Sequence, residues 1–380
     1  MRKLLFDLTA CQPIGNTSNH GGKEYAEAVF FEMMRKGLDV SGIYDSKVFI
    51  NPKFADYCKK HGELIDVNIR PLQDVINSDN YRIFYSAIPY GYHSIDFGKM
   101  TFVGNLHGLR NVEAITDDYE YLYCFTLKQK LFAIAKRFSW VKKHYIKKYL
   151  RQTELILNNP SFVCITGSVH SKYFLKSKFP KIEAGKIAVF YDPLIIEDAK
   201  ESKVNDIGKY YLLVSGNRFV KNSFRGMLAL DELISQGLID CKIVVTGFVE
   251  NIGYYKKIKN KDHFVFKGYV STEELASLYK NAYSLLFLSL SEGFGYPPLE
   301  AISRNTPVIC SPLTAIYEIY QDGVLYCNPF SVDDIKTKIL MMEDENVHVQ
   351  YIEQGQRRTK EIFKLQNEDL PKLVDYILSF

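Results

Sequence analysis

Apolar positions along the chain gather into short runs of strand length, separated by longer segments in which apolar residues recur at helical spacing. In the first half the runs are KLLFDLT, VSGIYD, YRIFYSA, MTFVGNLH, FVCITGS and KIAVFYD. In the second half they are YYLLVSG, CKIVVTGF, HFVFKGY, YSLLFLSL, TPVICS and VLYCN. Several are followed by turn residues and then by a helix-like segment. This alternation predicts an α/β fold built on parallel sheets. Between the halves, residues 192–209 (DPLIIEDAKESKVNDIGK) are polar, charged and without periodicity, and read as a linker. The expected organisation is two doubly wound, Rossmann-like domains facing a central cleft, the first over 1–191 and the second over 192–365. A C-terminal helix over 366–380 is expected to cross back to the first.

Composition fits that picture. The chain has 380 residues, 47% of them hydrophobic, enough to bury more than one core. Its seven cysteines are scattered and form no C-x-x-C pair, so neither a disulfide framework nor a zinc site is expected, and a reducing cytoplasm suits them best. The opening MRKLLFDLTACQP begins like a signal peptide, but Asp7 interrupts the apolar run early, and the segment reads as a first strand. No apolar run approaches the roughly 20 residues a membrane span needs.

Charge changes the picture in one place. Residues 128–151 (KQKLFAIAKRFSWVKKHYIKKYLR) hold nine Lys or Arg and no Asp or Glu. Removing them from the net charge of +4 leaves −5 on the rest, so the excess is a local patch. Leu127, Leu131, Ile134, Phe138, Val141, Tyr145 and Tyr149 follow helical spacing, with Trp140, the only tryptophan, among them. Such a helix suits an anionic membrane surface and a lipid-linked acceptor. It is equally readable as a packed helix with a solvated basic face. No nucleic-acid recognition motif accompanies it.

In open parallel sheets ligands bind beyond the carboxyl ends of strands, often at helix N-termini. The chemically suggestive residues follow strands. After the first strand, a Gly- and Asn-rich loop leads into Gly21-Gly22 at the start of an amphipathic helix, where backbone N–H groups and the helix dipole could meet an anion. After MTFVGNL comes His107-Gly108, for which a structural role is the plain alternative. After YYLLVSG come Arg218 and Lys221, two cations suited to a diphosphate, ahead of a helix capped by Asn222 or Ser223. After YSLLFLSL comes SEGFGYPPLEAI. Its prolines suit the first turn of a helix, and Gly293 and Gly295 let a ligand touch the main chain. Glu292 would then lie in the loop and Glu300 in the helix's first turn, where two carboxylates can accept hydrogen bonds from vicinal hydroxyls. Compensation of the helix dipole would explain Glu300 but not Glu292.

SEGFGYPPLEAISRNTPVICS resembles the E-x7-E segment of the retaining, family-4-like glycosyltransferases, two-domain enzymes of GT-B fold. The likeness runs through FVFKGYVSTEELASLYKNAYSLLFLSL and back to LVSGNRFVKNSFRGMLAL. In the first half it rests on HGGKEYA, NLHGL and VCITGSVHSKYFL. Where many members have an Asn-Gly-hydrophobic-Asp turn, this chain has VFYDPLII. The resemblance implies a nucleotide-diphosphate sugar as donor co-substrate, a saccharide or lipid-linked saccharide as acceptor, and no metal cofactor; no D-x-D triplet is present to hold one. It implies that Glu300 binds the ribose and that Arg218 and Lys221 neutralise the diphosphate. Glu292, with the backbone of Gly293, Phe294 and Gly295, would hold the donor sugar, which His107 would also reach. Gly22 would approach the donor phosphates, and Gly268, Tyr269 and Val270 would face the base. The expected reaction is retaining hexosyl transfer in bacterial surface polysaccharide synthesis, at a cytoplasmic location, peripheral to the membrane if the basic helix docks there. A sugar-nucleotide epimerase, a phosphorylase on pyridoxal phosphate and a silent sugar-nucleotide binder remain alternatives on the same fold. A two-carboxylate glycosidase is disfavoured because that reaction has no use for Arg218 and Lys221.

Overall fold

The computed structural model describes residues 2–13, 20–78, 80–114, 116–196 and 207–380. The tip of the loop before Gly21 and most of the expected linker lie outside them. Every run named above contains a strand, and each strand pairs in parallel with its neighbours. The first sheet comprises β1 (Arg2–Asp7), β2 (Val40–Tyr44), β3 (Leu64–Asp66), β4 (Tyr81–Ser86), β5 (Thr101–Asn105), β6 (Phe162–Thr166) and β7 (Ile187–Val189), in the order β3-β2-β1-β4-β5-β6-β7. The second comprises β8 (Tyr210–Leu213), β9 (Lys242–Val245), β10 (Phe264–Phe266), β11 (Ser284–Phe287), β12 (Val308–Cys310) and β13 (Leu325–Tyr326), in the order β10-β9-β8-β11-β12-β13. Strand β3 escapes the sequence pattern because its apolar stretch is Leu64-Ile65 alone, set between Glu63 and Asp66.

The order in each sheet runs outward in two directions from one central pair, β1 and β4 in the first, β8 and β11 in the second. Crossovers leaving such a pair go to opposite faces, which opens a crevice at the strands' carboxyl ends. Central strands are buried on both sides and accordingly apolar: Leu4, Leu5 and Phe6 of β1 and Leu285, Leu286 and Phe287 of β11 are all buried.

Two compact units result. The first contains Met1–Leu109, Lys148–Ile195 and Phe363–Phe380; the second contains Arg110–Lys147 and Ile196–Ile362. The expected first domain over 1–191 included residues 110–147, but these pack with the second sheet. Leu122 and Tyr123 enter its core, the Tyr123 hydroxyl accepts from Phe224 N–H at 3.0 Å, and the buried Arg225 pairs with Asp117 at 2.8 Å. At the C-terminus a helix spans Glu345–Leu378. Its Leu373, Val374 and Ile377 are buried in the first core beside β1 and the helix Gly21–Arg35. Among the described residues no helix is long and apolar enough to cross a membrane.

Candidate active site

The second unit gathers candidate chemistry at its central strand pair. Beyond β8 the chain turns through Gly216, where a Cβ would lie 2.7 Å from a methyl of Val245, and forms a short 3-10 helix, Phe219–Lys221. Asn222 follows at φ 55° as N-cap of the helix Ser223–Ser235. Its side chain does not cap that helix as expected; it donates to the Pro329 carbonyl at 2.7 Å and accepts from Arg225 at 2.8 Å. This ties down the segment that carries Arg218 and Lys221.

Beyond β11 the loop Ser289–Gly295 turns inward. Lys221 Nζ donates to Glu292 Oε1 at 2.5 Å, and Ser289 Oγ donates to the same oxygen at 2.5 Å. Lys221 and Glu292 are 8% and 6% exposed, so this is a buried ion pair and each charge depends on the other. Arg110 Nη2 lies 3.8 Å from the second carboxylate oxygen. Burial lowers the Lys221 pKa to about 8, with Arg110 and Arg218 adding to the fall and Glu292 opposing it. Burial alone would raise the Glu292 carboxyl; Lys221 and Arg110 more than offset this and hold it below its ordinary value. Arg218 keeps an exposed surface, yet partial desolvation and then Arg110 lower its pKa against the pull of Glu292. Lys221 and Arg110 thus stand at one carboxylate with Arg218 in electrostatic reach, an excess of positive charge that suits a multiply charged anion.

The loop is held from the strand beside it. Glu292 N–H donates to Thr314 Oγ1 at 2.9 Å, and Ser311 Oγ donates to the Ser289 carbonyl. Ser291 Oγ reaches Glu113 at 2.8 Å, and Phe294 is buried. Gly295 has φ 89°, and a Cβ there would lie 2.5 Å from Ile316 Cδ1, so the position excludes a side chain on both counts. The Tyr320 hydroxyl donates to the Gly295 carbonyl and accepts from Leu299 N–H at 3.1 Å, joining loop and helix. That helix is Tyr296–Ile302, with Pro297 and Pro298 in its first turn. Glu300 is therefore its fifth residue and not in the first turn as expected. The helix begins earlier because Gly295 is the cap, and the dipole argument weakens one turn in. Glu300 Oε2 lies 3.9 Å from Arg304.

The remaining candidates lie elsewhere. Gly268, Tyr269 and Val270 follow β10; the Gly268 carbonyl accepts from Gly247 N–H at 2.8 Å, and the Tyr269 side chain is exposed. In the first unit Gly22 is the second residue of the helix Gly21–Arg35, whose N-cap is His20. A Cβ on Gly22 would come 2.9 Å from Ile88 Cδ1, so the glycine permits close packing against the residues after β4. His107, two residues past β5, has one ring nitrogen 3.2 Å from Asp192 Oδ2 and the other 3.0 Å from the Ala87 carbonyl.

Sequence reasoning missed Arg110, Ser289, Thr314 and Asp192. None belongs to a motif by itself. Arg110 follows His107-Gly108-Leu109, and its approach to Glu292 crosses more than half of the chain's second unit. A basic residue beside a strand-end histidine was the one signal available for it.

Residues 195–358 match the family described as Glycosyl transferases group 1. The O-antigen chain mannosyltransferase RfbU of Salmonella typhimurium is 31% identical over 175 residues, 43% of this chain and 46% of that protein. The match thus spans less than half the length of that curated relative. Among solved structures, sucrose-phosphate synthase from Thermosynechococcus elongatus superimposes with a TM-score of 0.71 at 14% identity, over 99% of this chain and 98% of that one. Anabaena HepE in complex with UDP-glucose does so with a TM-score of 0.66 at 15% identity, over all of both chains. At such identities the likeness is one of fold: two parallel-sheet, Rossmann-like domains, as in GT-B proteins. Residues 195–358, which carry Arg218, Lys221, Glu292 and Glu300, are thus the part of the chain that is similar to the Glycosyl transferases group 1 family.

Proposed function

We propose that the protein is a retaining, metal-independent glycosyltransferase of the family-4-like group. It moves a hexose from a nucleotide-diphosphate sugar to a saccharide or lipid-linked saccharide in bacterial surface polysaccharide synthesis. The observation that carries this reading is the convergence of Arg110 and Lys221 on the buried Glu292 beyond the central strand pair, with Arg218 in electrostatic reach of both. Breaking the bond from the anomeric carbon to phosphate leaves positive charge on the sugar and negative charge on the departing diphosphate. Fixed cations stabilise the second as it grows, and they need no reorganisation when it does. Glu292, with the backbone of Gly293, Phe294 and Gly295, accepts hydroxyls of the donor sugar; Glu300 takes the ribose; Gly268, Tyr269 and Val270 face the base. Gly22 and His107 also serve the donor. The acceptor attacks from the side the diphosphate leaves, and a phosphate oxygen takes its proton. The named activity of the Salmonella relative and the UDP-glucose bound to HepE support a sugar-nucleotide donor and a glycan acceptor.

The test is thermal stabilisation by a panel of nucleotide diphosphates and nucleotide sugars in the presence of chelator. A ligand that binds only the folded state raises the midpoint once its concentration passes its Kd. One base and sugar should stand out, and Glu300→Gln should lose the shift. No shift with any member at millimolar concentration would remove the donor and with it the transferase reading. Retention is read from the anomeric configuration of the product.

A lipid-linked acceptor is met at an anionic membrane surface. On the helices Leu127–Ala135 and Ser139–Leu157, Trp140 is 76% exposed and Leu127 72%, with Leu131 and Phe138 also exposed. Lys136 turns inward to the buried Glu120, while the other basic residues of the segment flank the apolar ones. Apolar side chains beside cations fit anionic lipid. Trp140 is the chain's only tryptophan and so reports directly. Its emission should shift to the blue with phosphatidylglycerol vesicles and not with phosphatidylcholine, and the shift should reverse in high salt. Unchanged emission with both would exclude the membrane.

A further inference from the structure

We propose that Thr314 is a positioning residue for the donor sugar: its hydroxyl sets the main chain of Glu292, and through it the carboxylate oxygen that the sugar meets. The inference rests on the proposed function, in which Glu292 accepts hydroxyls of the donor sugar.

The backbone gives the first observation. Thr314 follows β12 with φ 57° and ψ −133°. A residue branched at Cβ rarely takes a positive φ, and holding one there costs folding free energy. Glycine would adopt it freely. What threonine supplies and glycine lacks is a hydroxyl, and main chain surrounds it. Thr314 Oγ1 accepts from Glu292 N–H at 2.9 Å. It lies 3.0 Å from the Glu292 carbonyl oxygen and 2.7 Å from that of Leu313, one of which takes its single proton.

The place of that main chain matters because the carboxylate is partly committed. Oε1 accepts from Lys221 and from Ser289, each at 2.5 Å, which leaves Oε2, with Arg110 at 3.8 Å, to face a ligand. With Oε1 tethered, a shift of the Glu292 main chain either swings Oε2 or lengthens the contact with Lys221. A small misplacement of such a group costs much of its effect on rate. The residues before Glu292 have their own ties: Ser311 Oγ donates to the Ser289 carbonyl, and Leu290 N–H donates to the Val220 carbonyl at 2.8 Å. Thr314 holds the residue that bears the carboxylate. Thr314, Glu292, Lys221 and Arg110 all lie in the second unit, so the arrangement is complete within it.

Three variants separate the hydroxyl from the strain. Thr314→Ser keeps the hydroxyl, Thr314→Val keeps the branched shape without it, and Thr314→Gly removes hydroxyl and strain together. The first reading is an NMR titration of the Lys221 ammonium, assigned by its loss in Lys221→Arg. Burial, Arg110 and Arg218 lower its pKa, and Glu292 raises it. Withdrawal of Glu292 should therefore move the midpoint down from about 8 in Thr314→Val and Thr314→Gly, with Thr314→Ser at the wild-type value. An unchanged midpoint in Thr314→Gly, which is free of the strained φ and so folds even where Thr314→Val does not, would overturn the proposal. The second reading is kinetic. With the nucleotide sugar that the thermal panel selects, kcat should fall about tenfold to a hundredfold in Thr314→Val and Thr314→Gly while affinity for the nucleoside diphosphate alone stays unchanged and Thr314→Ser matches wild type. A lower melting temperature in Thr314→Val with both readings intact would reduce Thr314 to a packing residue and overturn the proposal as well. The titration needs no ligand, so its outcome is distinct from a failure of donor binding.

Discussion

Lys221 is covered by protein yet must meet an anion, and its protonation follows from that conflict. Water would stabilise its charge; burial removes the water, and Glu292 replaces only part of what is lost. With a pKa near 8, free enzyme loses this cation in mildly alkaline solution. We therefore expect kcat/KM to fall as pH rises through about 8, and Lys221→Ala to lower it on the order of a hundredfold or more at pH 7. A flat profile from pH 7 to 9 would show that Lys221 does not neutralise the leaving diphosphate. Stability runs the other way. Between about 8 and the ordinary value of 10.5 the unfolded chain binds the proton that the folded one lacks, so this group's contribution to stability rises with pH over that window. The lowered Glu292 carboxyl contributes stability above its ordinary value of 4.5, lost as acid protonates it in the folded state.

The loop Ser289–Gly295 and the helix Tyr296–Ile302 behave as one element because Tyr320 joins them. Its hydroxyl is buried, so Tyr320→Phe leaves the Leu299 N–H and the Gly295 carbonyl without that partner. The expected cost is about 1–3 kcal/mol, read as a lower melting temperature, with a raised donor KM because the Gly293–Gly295 backbone is no longer held. An unchanged KM would mean that the loop's shape does not depend on the clamp. At this scale the sequence is most legible. Twelve apolar runs contain twelve strands, and a proline pair after a glycine loop announces a helix start. The misses have local causes: β3 offers only Leu64-Ile65 between two carboxylates, and Asn222 spends its side chain on Pro329 and Arg225 instead of capping its helix. Glu300 falls just past the first turn because the Gly295 cap starts the helix at Tyr296, ahead of the prolines that mark its start in the sequence.

The whole molecule divides where no composition shift marks it. Residues 110–147 lie before β6 in the chain yet pack with the second sheet, because Tyr123, Asp117 and Leu122 find their partners on Phe224, Arg225 and the core behind β8. Phe363–Phe380 belongs to the first unit for a similar reason, the burial of Leu373, Val374 and Ile377. By itself the sequence determined the α/β class, the parallel strands and the kinds of residue at the strand ends, since these depend on local periodicity and on turn chemistry that neighbours in the chain supply. Tertiary structure alone decided which of those residues meet. Lys221 and Glu292 are 71 positions apart, and His107 and Asp192 are 85 apart. Pairing at such separations is set by strand order, which brings β8 beside β11 and carries β5 and the chain beyond β7 to one end of a sheet, and strand order leaves no mark in the pattern of apolar and polar positions.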